Sequence, residues 1–275
     1  MKHTVAAIQL ASGPNLQGNL NQVARLLGEA ARAGAKLIVL PENFAFMGNQ
    51  ETDKLAIAES PGEGPIQLFL AKHARELGVW IIGGTIPMLA NDSSHVFASA
   101  LVYDAQGELV SRYDKCHLFD VRLTESNETY LESQTVAAGD TAVWFDSPFG
   151  RIGLAICYDL RFPEMFRVLM EHQVEILAIP SAFTATTGRA HWEVLLRARA
   201  IENLCYVIAP NQGGFHVNGR ETYGDSMIIN PWGEVQQRLA SGAGFVLADI
   251  DLAKQATLRT TFPVLQHQRF RCAAT

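Results

Sequence analysis

Short runs that are apolar at nearly every position recur along this chain and alternate with stretches of helical periodicity, which leaves few folds open. Leu37-Ile38-Val39-Leu40 ends at Pro41, and Val79 to Ile86 is a second continuous run. A strand with one wet face alternates polar and apolar residues, so strands that do not alternate are covered on both sides. The pattern predicts strands from His3 to Leu10, Lys36 to Leu40, Val79 to Ile86, Val96 to Tyr103, Glu108 to Tyr113, Ala142 to Phe145 and Arg151 to Cys157. More are expected from Glu175 to Pro180, Tyr206 to Ala209, Ser226 to Ile229 and Phe245 to Ile250. Helices are expected from Leu16 to Arg32, where Leu16, Leu20, Val23, Leu26 and Leu27 share a face, and from Pro65 to Leu77, Pro163 to His172 and Ala190 to Asn203. Asp104-Ala105-Gln106-Gly107 and Pro231-Trp232-Gly233-Glu234 read as hairpin turns, and Cys116 to Gly139 as a polar loop. This is an α/β chain with mixed sheets. With no linker or low-complexity stretch, a single domain over 1–275 is expected.

Charge removes two classes of partner. The 22 Lys and Arg against 28 Asp and Glu give a net charge of −6, which suits neither nucleic acid nor an anionic membrane, both of which need clustered cations. No uncharged apolar run reaches the roughly 18 residues of a membrane span, and the first residues lead straight into a strand, so a cytoplasmic protein is expected. Cys116, Cys157, Cys205 and Cys272 form no CxxC pair and no zinc spacing, so reduced thiols and no metal are expected. GxGxxG, GxxxxGK[ST] and HExxH are absent. Gly224-Asp225-Ser226-Met227-Ile228 only approaches a GxSxG elbow, and His191 reads as packing or capping.

Three segments carry chemistry. Cys157 ends a strand, and Pro163 and Glu164 start a helix just beyond it. A thiol at such an elbow is expected to be exposed near free backbone N–H groups, which lower its pKa and can hold an oxyanion; the alternative is a small buried side chain. Glu42, in Leu40-Pro41-Glu42-Asn43-Phe44, stands just past a buried strand. Desolvation there could raise its pKa toward neutrality and make it a general base, or it could brace a turn. Lys115, in Tyr113-Asp114-Lys115-Cys116-His117-Leu118, ends another strand, where it either faces a developing negative charge or lies on the surface.

In this order and with these flanks, the segments resemble the nitrilase superfamily of carbon–nitrogen hydrolases, from about Val5 to Phe270. The resemblance implies a four-layer α-β-β-α sandwich, usually dimerised through outer helices, and an amide-hydrolysing site without metal or organic cofactor. It casts Glu42 as general base, Lys115 as transition-state stabiliser and Cys157 as nucleophile. The backbone N–H of Tyr158 would assist at the oxyanion. A second glutamate is implied after the lysine motif; Glu132, in Tyr130-Leu131-Glu132-Ser133, matches it, with Glu125 and Glu128 as neighbours. Ser181, Phe183 and Thr187 fall where the pocket would be lined.

The stretch from Ser181 to Glu202, with Asn211-Gln212-Gly213-Gly214-Phe215-His216 leading through Arg220 to Tyr223-Gly224-Asp225-Ser226, resembles the superfamily branch holding deaminated glutathione amidases and omega-amidases. Asp225 stands where that pattern has histidine. The resemblance implies a small 2-oxo acid amide as substrate: deaminated glutathione first, 2-oxoglutaramate, 2-oxosuccinamate or another small amide or nitrile as the alternative. A homodimer or higher even oligomer is expected.

Overall fold

A computed structural model of the chain describes residues 2–123 and 128–270; Glu125 and Cys272 lie outside them. In the first sheet β1 (Lys2–Gln9), β2 (Leu37–Val39) and β3 (Trp80–Ile82) run parallel, connected through α1 (Leu16–Arg32) and α2 (Pro65–Leu77). The run expected as one strand from Val79 to Ile86 is broken: Gly83-Gly84-Thr85 separates β3 from β4 (Ile86–Leu89). Both then pair antiparallel with β5 (Val96–Tyr103), which pairs in turn with β6 (Leu109–Asp114). The break has a steric cause. Gly84 has φ +47°, and a Cβ there would come within 2.0 Å of the Pro41 carbonyl oxygen, so the Gly-Gly step lets the chain before Glu42 pass. The stretch expected as loop holds structure too: β7 (Asp120–Leu123) pairs antiparallel with β8 (Glu128–Leu131), and β9 (Val136–Ala137) pairs with β5.

The second sheet repeats the scheme. After β10 (Trp144–Ser147), the parallel strands β11 (Gly150–Leu154), β12 (Ile176–Ala178) and β13 (Tyr206–Ala209) are connected through α3 (Pro163–Glu171) and α4 (Ala185–Asn203). An unanticipated hairpin, β14 (Gly213–Phe215) and β15 (Glu221–Tyr223), precedes β16 (Ser226–Ile229), which joins β13 and turns at Pro231–Glu234 into β17 (Val235–Leu239). β18 (Gly244–Asp251) then crosses back to pair antiparallel with the whole of β1, and α5 (Leu252–Thr261) follows.

Alternation along β1 explains the layers. Val5 and Ala7 enter the core between the sheets with Ile152, Leu154 and Val207, while Ala6 and Ile8 face Val23 and Leu27 of α1 and Leu70 of α2. On the far side Phe166, Leu169, Trp192 and Leu196 cover the second sheet. The result is helix, sheet, sheet, helix. α4 starts five residues before the expected Ala190 because Thr184 caps it, its side chain accepting from Thr187 N–H.

Candidate active site

Both sheets present the C-terminal ends of their parallel strands to one cleft, the usual place for a ligand in such a sheet. Glu42 follows β2 and Cys157 follows β11, each past a backbone contact that prolongs strand pairing. Leu40 N–H donates to Ile82 O at 2.9 Å, and Cys157 N–H donates to Pro180 O at 2.9 Å. The chain then turns sharply at both places. Cys157 itself has φ +46° and Asn43 has φ +57°, a left-handed conformation that non-glycine residues adopt at a cost and that clusters at functional sites. Asn43 N–H is held by Thr85 Oγ1 at 2.8 Å, and the Glu42 carbonyl accepts from Gln212 Nε2 at 2.9 Å.

Between the two turns lies Lys115, brought in by the end of β6. Its Nζ donates to Glu42 Oε1 at 2.8 Å and to both oxygens of Glu132 at 2.9 and 2.8 Å. Lys115 is 2% exposed and Glu42 4%, so a buried carboxylate–ammonium pair continues into the partly exposed carboxylate of Glu132. Glu132 is fixed from behind, accepting from Phe119 N–H at 2.7 Å. Of the candidate second glutamates, Glu132 contacts Lys115 in this way, and Glu125 lies outside the described residues.

Two expectations about charge need correction. Burial alone would raise the Glu42 carboxyl, but the Lys115 ammonium outweighs it, helped by Arg220, and Glu42 is held below the ordinary carboxylate range. Cys157 is buried, not exposed. Burial and then the Glu42 charge push its thiol well up, against the opposing pull of Lys115 and a hydrogen bond from the Ala182 backbone. Burial pulls the pKa of the Lys115 ammonium down, yet Glu132 and Glu42 raise it well above its ordinary value. The resting site thus pairs an ionised Glu42 with a neutral thiol and a permanently charged Lys115.

Asp159, two residues after Cys157, ties the lysine and cysteine motifs together. Fully buried, it accepts from Tyr113 Oη at 2.7 Å, His117 N–H at 3.0 Å, and Ile156 N–H at 2.7 Å; His117 Nδ1 lies 2.7 Å from Oδ1. Tyr113 and His117 flank Lys115 at two positions either side, so one carboxylate fixes both turns. Sequence reasoning passed over Asp159 although its offset from Cys157 was the available signal.

A cavity of about 430 Å³ opens on Cys157 and Lys115. Tyr158, Phe183 and Thr187 line it, as expected; Ser181 does not. Ser181 is fully buried and its hydroxyl donates to Ile179 O at 3.1 Å, leaving Ala182 as the lining residue. Phe119 packs edge-on against Tyr158 at 5.1 Å. Two lining arginines went unassigned from sequence, and among the described residues neither ion-pairs with a carboxylate. Arg161 lies over Phe183 and Tyr158 at 5.2 and 5.8 Å and contacts His191 Nδ1 at 3.1 Å, so His191 partners Arg161 and is not merely packed. Arg220, in the hairpin that sequence reading missed, lies 5.3 Å above the Tyr130 ring. Asp225 lies outside the lining, its carboxylate held by Arg238.

Two covered sheets whose strand ends bring a thiol, an ammonium and carboxylates together place the chain among the nitrilase-superfamily hydrolases. Residues 4–260 match the carbon–nitrogen hydrolase family, and the chain belongs to it: a hydrolase of carbon–nitrogen bonds. It is 43% identical over 271 residues to a deaminated glutathione amidase of Synechocystis sp., covering 98% of each chain. To a deaminated glutathione amidase of Homo sapiens it is 40% identical over 268 residues, covering 96% of this chain and 82% of that one. Among solved structures, Saccharomyces cerevisiae Nit3, described as a member of branch 10 of the nitrilase superfamily, superposes with a TM-score of 0.88 at 28% identity, covering 98% and 97% of the two chains.

Proposed function

We propose that this protein is a deaminated glutathione amidase, hydrolysing the amide that joins 2-oxoglutarate to cysteinylglycine. The observation that carries the chemistry is the Glu42–Lys115–Glu132 chain, its first two members buried, which lines the cavity together with Cys157. The names of relatives matched over nearly the full length support the substrate. A cavity of about 430 Å³ falls within the 300–1,000 Å³ usual for small-molecule sites.

An amide is a poor electrophile with a poor leaving group, and a covalent route divides its barrier in two. Glu42 takes the Cys157 proton as sulfur bonds to the amide carbon and the carbonyl electrons move to oxygen. Lys115 and the Tyr158 N–H hold that oxyanion; the first N–H groups of a helical turn have no intrahelical acceptor, and one such donor is worth about 3–4 kcal/mol. The carbonyl re-forms, the C–N bond breaks, and Glu42 returns its proton to nitrogen. Water then attacks the thioester, giving a proton to Glu42. Collapse expels the thiolate, which takes that proton back, and 2-oxoglutarate leaves. Glu132 keeps Lys115 charged and in place. Tyr158, Phe183 and Thr187 shape the pocket, and Arg161 pairs with the carboxylate of the 2-oxo acid end. Every proton is carried by a side chain already in the site.

The test is a side-by-side measurement of kcat/KM for deaminated glutathione, 2-oxoglutaramate and an aliphatic nitrile. Deaminated glutathione should lead; a tenfold lead by another, about 1.4 kcal/mol of transition-state preference, would refute the substrate. Acid-quenched enzyme should carry an acyl adduct on the Cys157 peptide, and Cys157→Ala should stay folded while losing turnover by several orders of magnitude.

The same reading extends to assembly and setting. The chain acts as one domain, its central core shared by both sheets. Val194 and Ile201 on α4 lie exposed, as do Trp232 and Phe262, which pack together at 5.7 Å; an outer face of this kind suits a homodimer. A thiol nucleophile works in a reducing setting such as the cytoplasm. Among the described residues no helix is long and apolar enough to cross a membrane.

A further inference from the structure

We infer that Arg220 recognises the terminal carboxylate of the leaving group, the glycine end of cysteinylglycine, and so makes the enzyme selective for amides whose amine half is itself an acid. The inference rests on the substrate reading above and deepens it. Its starting point is an unsatisfied group. Arg220 Nε is buried without a hydrogen-bond partner, although buried polar groups are nearly always paired. One terminal nitrogen donates to the Ala182 carbonyl, and the guanidinium face rests on Tyr130. The side chain is thus anchored at its edge and on one face, while it lines the cavity and no carboxylate among the described residues pairs with it. A planar fork held in this way suits a carboxylate, which arginine binds through paired N–H donors.

Position decides which end of the substrate it reads. Glu42 must protonate the departing nitrogen, so the amine half lies on the Glu42 side of the cleft. Arg220 belongs to that side: it also lines a small recess with Asn43, the residue after Glu42, and with Glu51 and Lys54. Arg161 lies over the rings of Tyr158, the residue after Cys157, and Phe183, and it does not line that recess. The remaining cation of the Glu42 wall, Lys54, is already committed to Glu51 at 2.6 Å. Two arginines in the cavity wall, neither paired with a carboxylate among the described residues, match a substrate with a carboxylate at each end and the scissile amide between.

The experiment uses a matched pair: 2-oxoglutaryl-cysteinylglycine and the same compound with its glycine carboxylate converted to the amide. The readout is the ratio of kcat/KM for acid over amide within each enzyme, which cancels differences in folded fraction. The intact enzyme should favour the acid at least tenfold, about 1.4 kcal/mol. Arg220→Gln should bring that ratio close to one, and Arg220→Lys should keep part of it. Arg161→Gln should slow both compounds and leave the ratio standing. A ratio near one in the intact enzyme, or one that survives in Arg220→Gln, overturns the proposal. So does Arg220→Gln slowing acid and amide equally, because Arg220 would then act elsewhere. If the intact enzyme hydrolyses 2-oxoglutaramate and neither member of the pair, the substrate reading itself falls, and this inference with it.

Discussion

Replacing Lys115 by methionine should reverse the pH dependence that Glu42 gives to folding. The change removes an ammonium 2.8 Å from Glu42 and 2.8 Å from Glu132 and leaves a carboxylate 4% exposed without its main partner. Breaking a buried pair by removing one member costs about 3–5 kcal/mol, which for a chain this size lowers Tm by on the order of 10 °C. The sign of the pH effect follows from the causes. In the intact protein Lys115 overrides burial and holds Glu42 below its unfolded value. Its stabilising contribution is therefore complete above the ordinary carboxylate range and is lost as pH falls through the lowered pKa. In Lys115→Met burial, the largest influence on this group, acts against a weaker opposing charge and carries Glu42 above its unfolded value. The variant gains from protonating Glu42, so that contribution is present at low pH and disappears as pH rises through the raised pKa. The stability gap between the two proteins should widen from pH 5 to pH 8, by at most about 1.4 kcal/mol per pH unit for one proton. Urea unfolding of both at several pH values measures the gap directly. A gap constant with pH, or one that narrows toward pH 8, would refute the reasoning.

Other perturbations probe the supports of the site. Gly84→Ala forces a Cβ to within 2.0 Å of Pro41 O at a positive φ and should cost about 2–4 kcal/mol through overpacking and backbone strain; it should also lower kcat, about a hundredfold for a 1 Å displacement of Glu42, as melts and steady-state rates will show. Asp159→Ala strands Tyr113 Oη and the N–H groups of Ile156 and His117. At about 1–3 kcal/mol for each unsatisfied group, denaturant unfolding should register a loss of at least 3 kcal/mol. Ile201→Glu, on the outer face of α4, should halve the particle mass in light scattering; an unchanged mass would place the subunit contact elsewhere.

Local rules made the framework readable from sequence. α1 and α2 fall where the sequence pattern puts them, because that pattern is local; each is followed within two residues by a glycine of positive φ, Gly34 and Gly78. That Glu42, Lys115 and Cys157 each follow a strand was legible in hydropathy, but the role of each was implied only by the family resemblance of their flanking residues. Their electrostatics were not legible. The lowered Glu42 and raised Cys157 depend on distances between segments far apart in the chain, and burial read alone gives the wrong sign for Glu42. Arg220 escaped for a similar reason: its hairpin, Gly213–Tyr223, is short and glycine-rich, and its neighbours Ala182 and Tyr130 come from two distant segments. Ser181 was misplaced because a strand end predicts proximity to the cleft but not which side chain faces it.

The pairing of β18 with all of β1, Lys2 opposite Asp251 through Gln9 opposite Gly244, has a consequence for how the chain is made. During synthesis β1 can dock on β2 early, since only α1 intervenes, but its other edge stays open until residues 244–251 have emerged. An unpaired strand edge is a template for another chain, and contacts this remote in sequence close slowly. A nascent or truncated chain ending before Gly244 should therefore form its helices and both parallel cores yet aggregate, and its rescue by a separately supplied 244–261 peptide would measure how much of the protein's solubility resides in that one late strand.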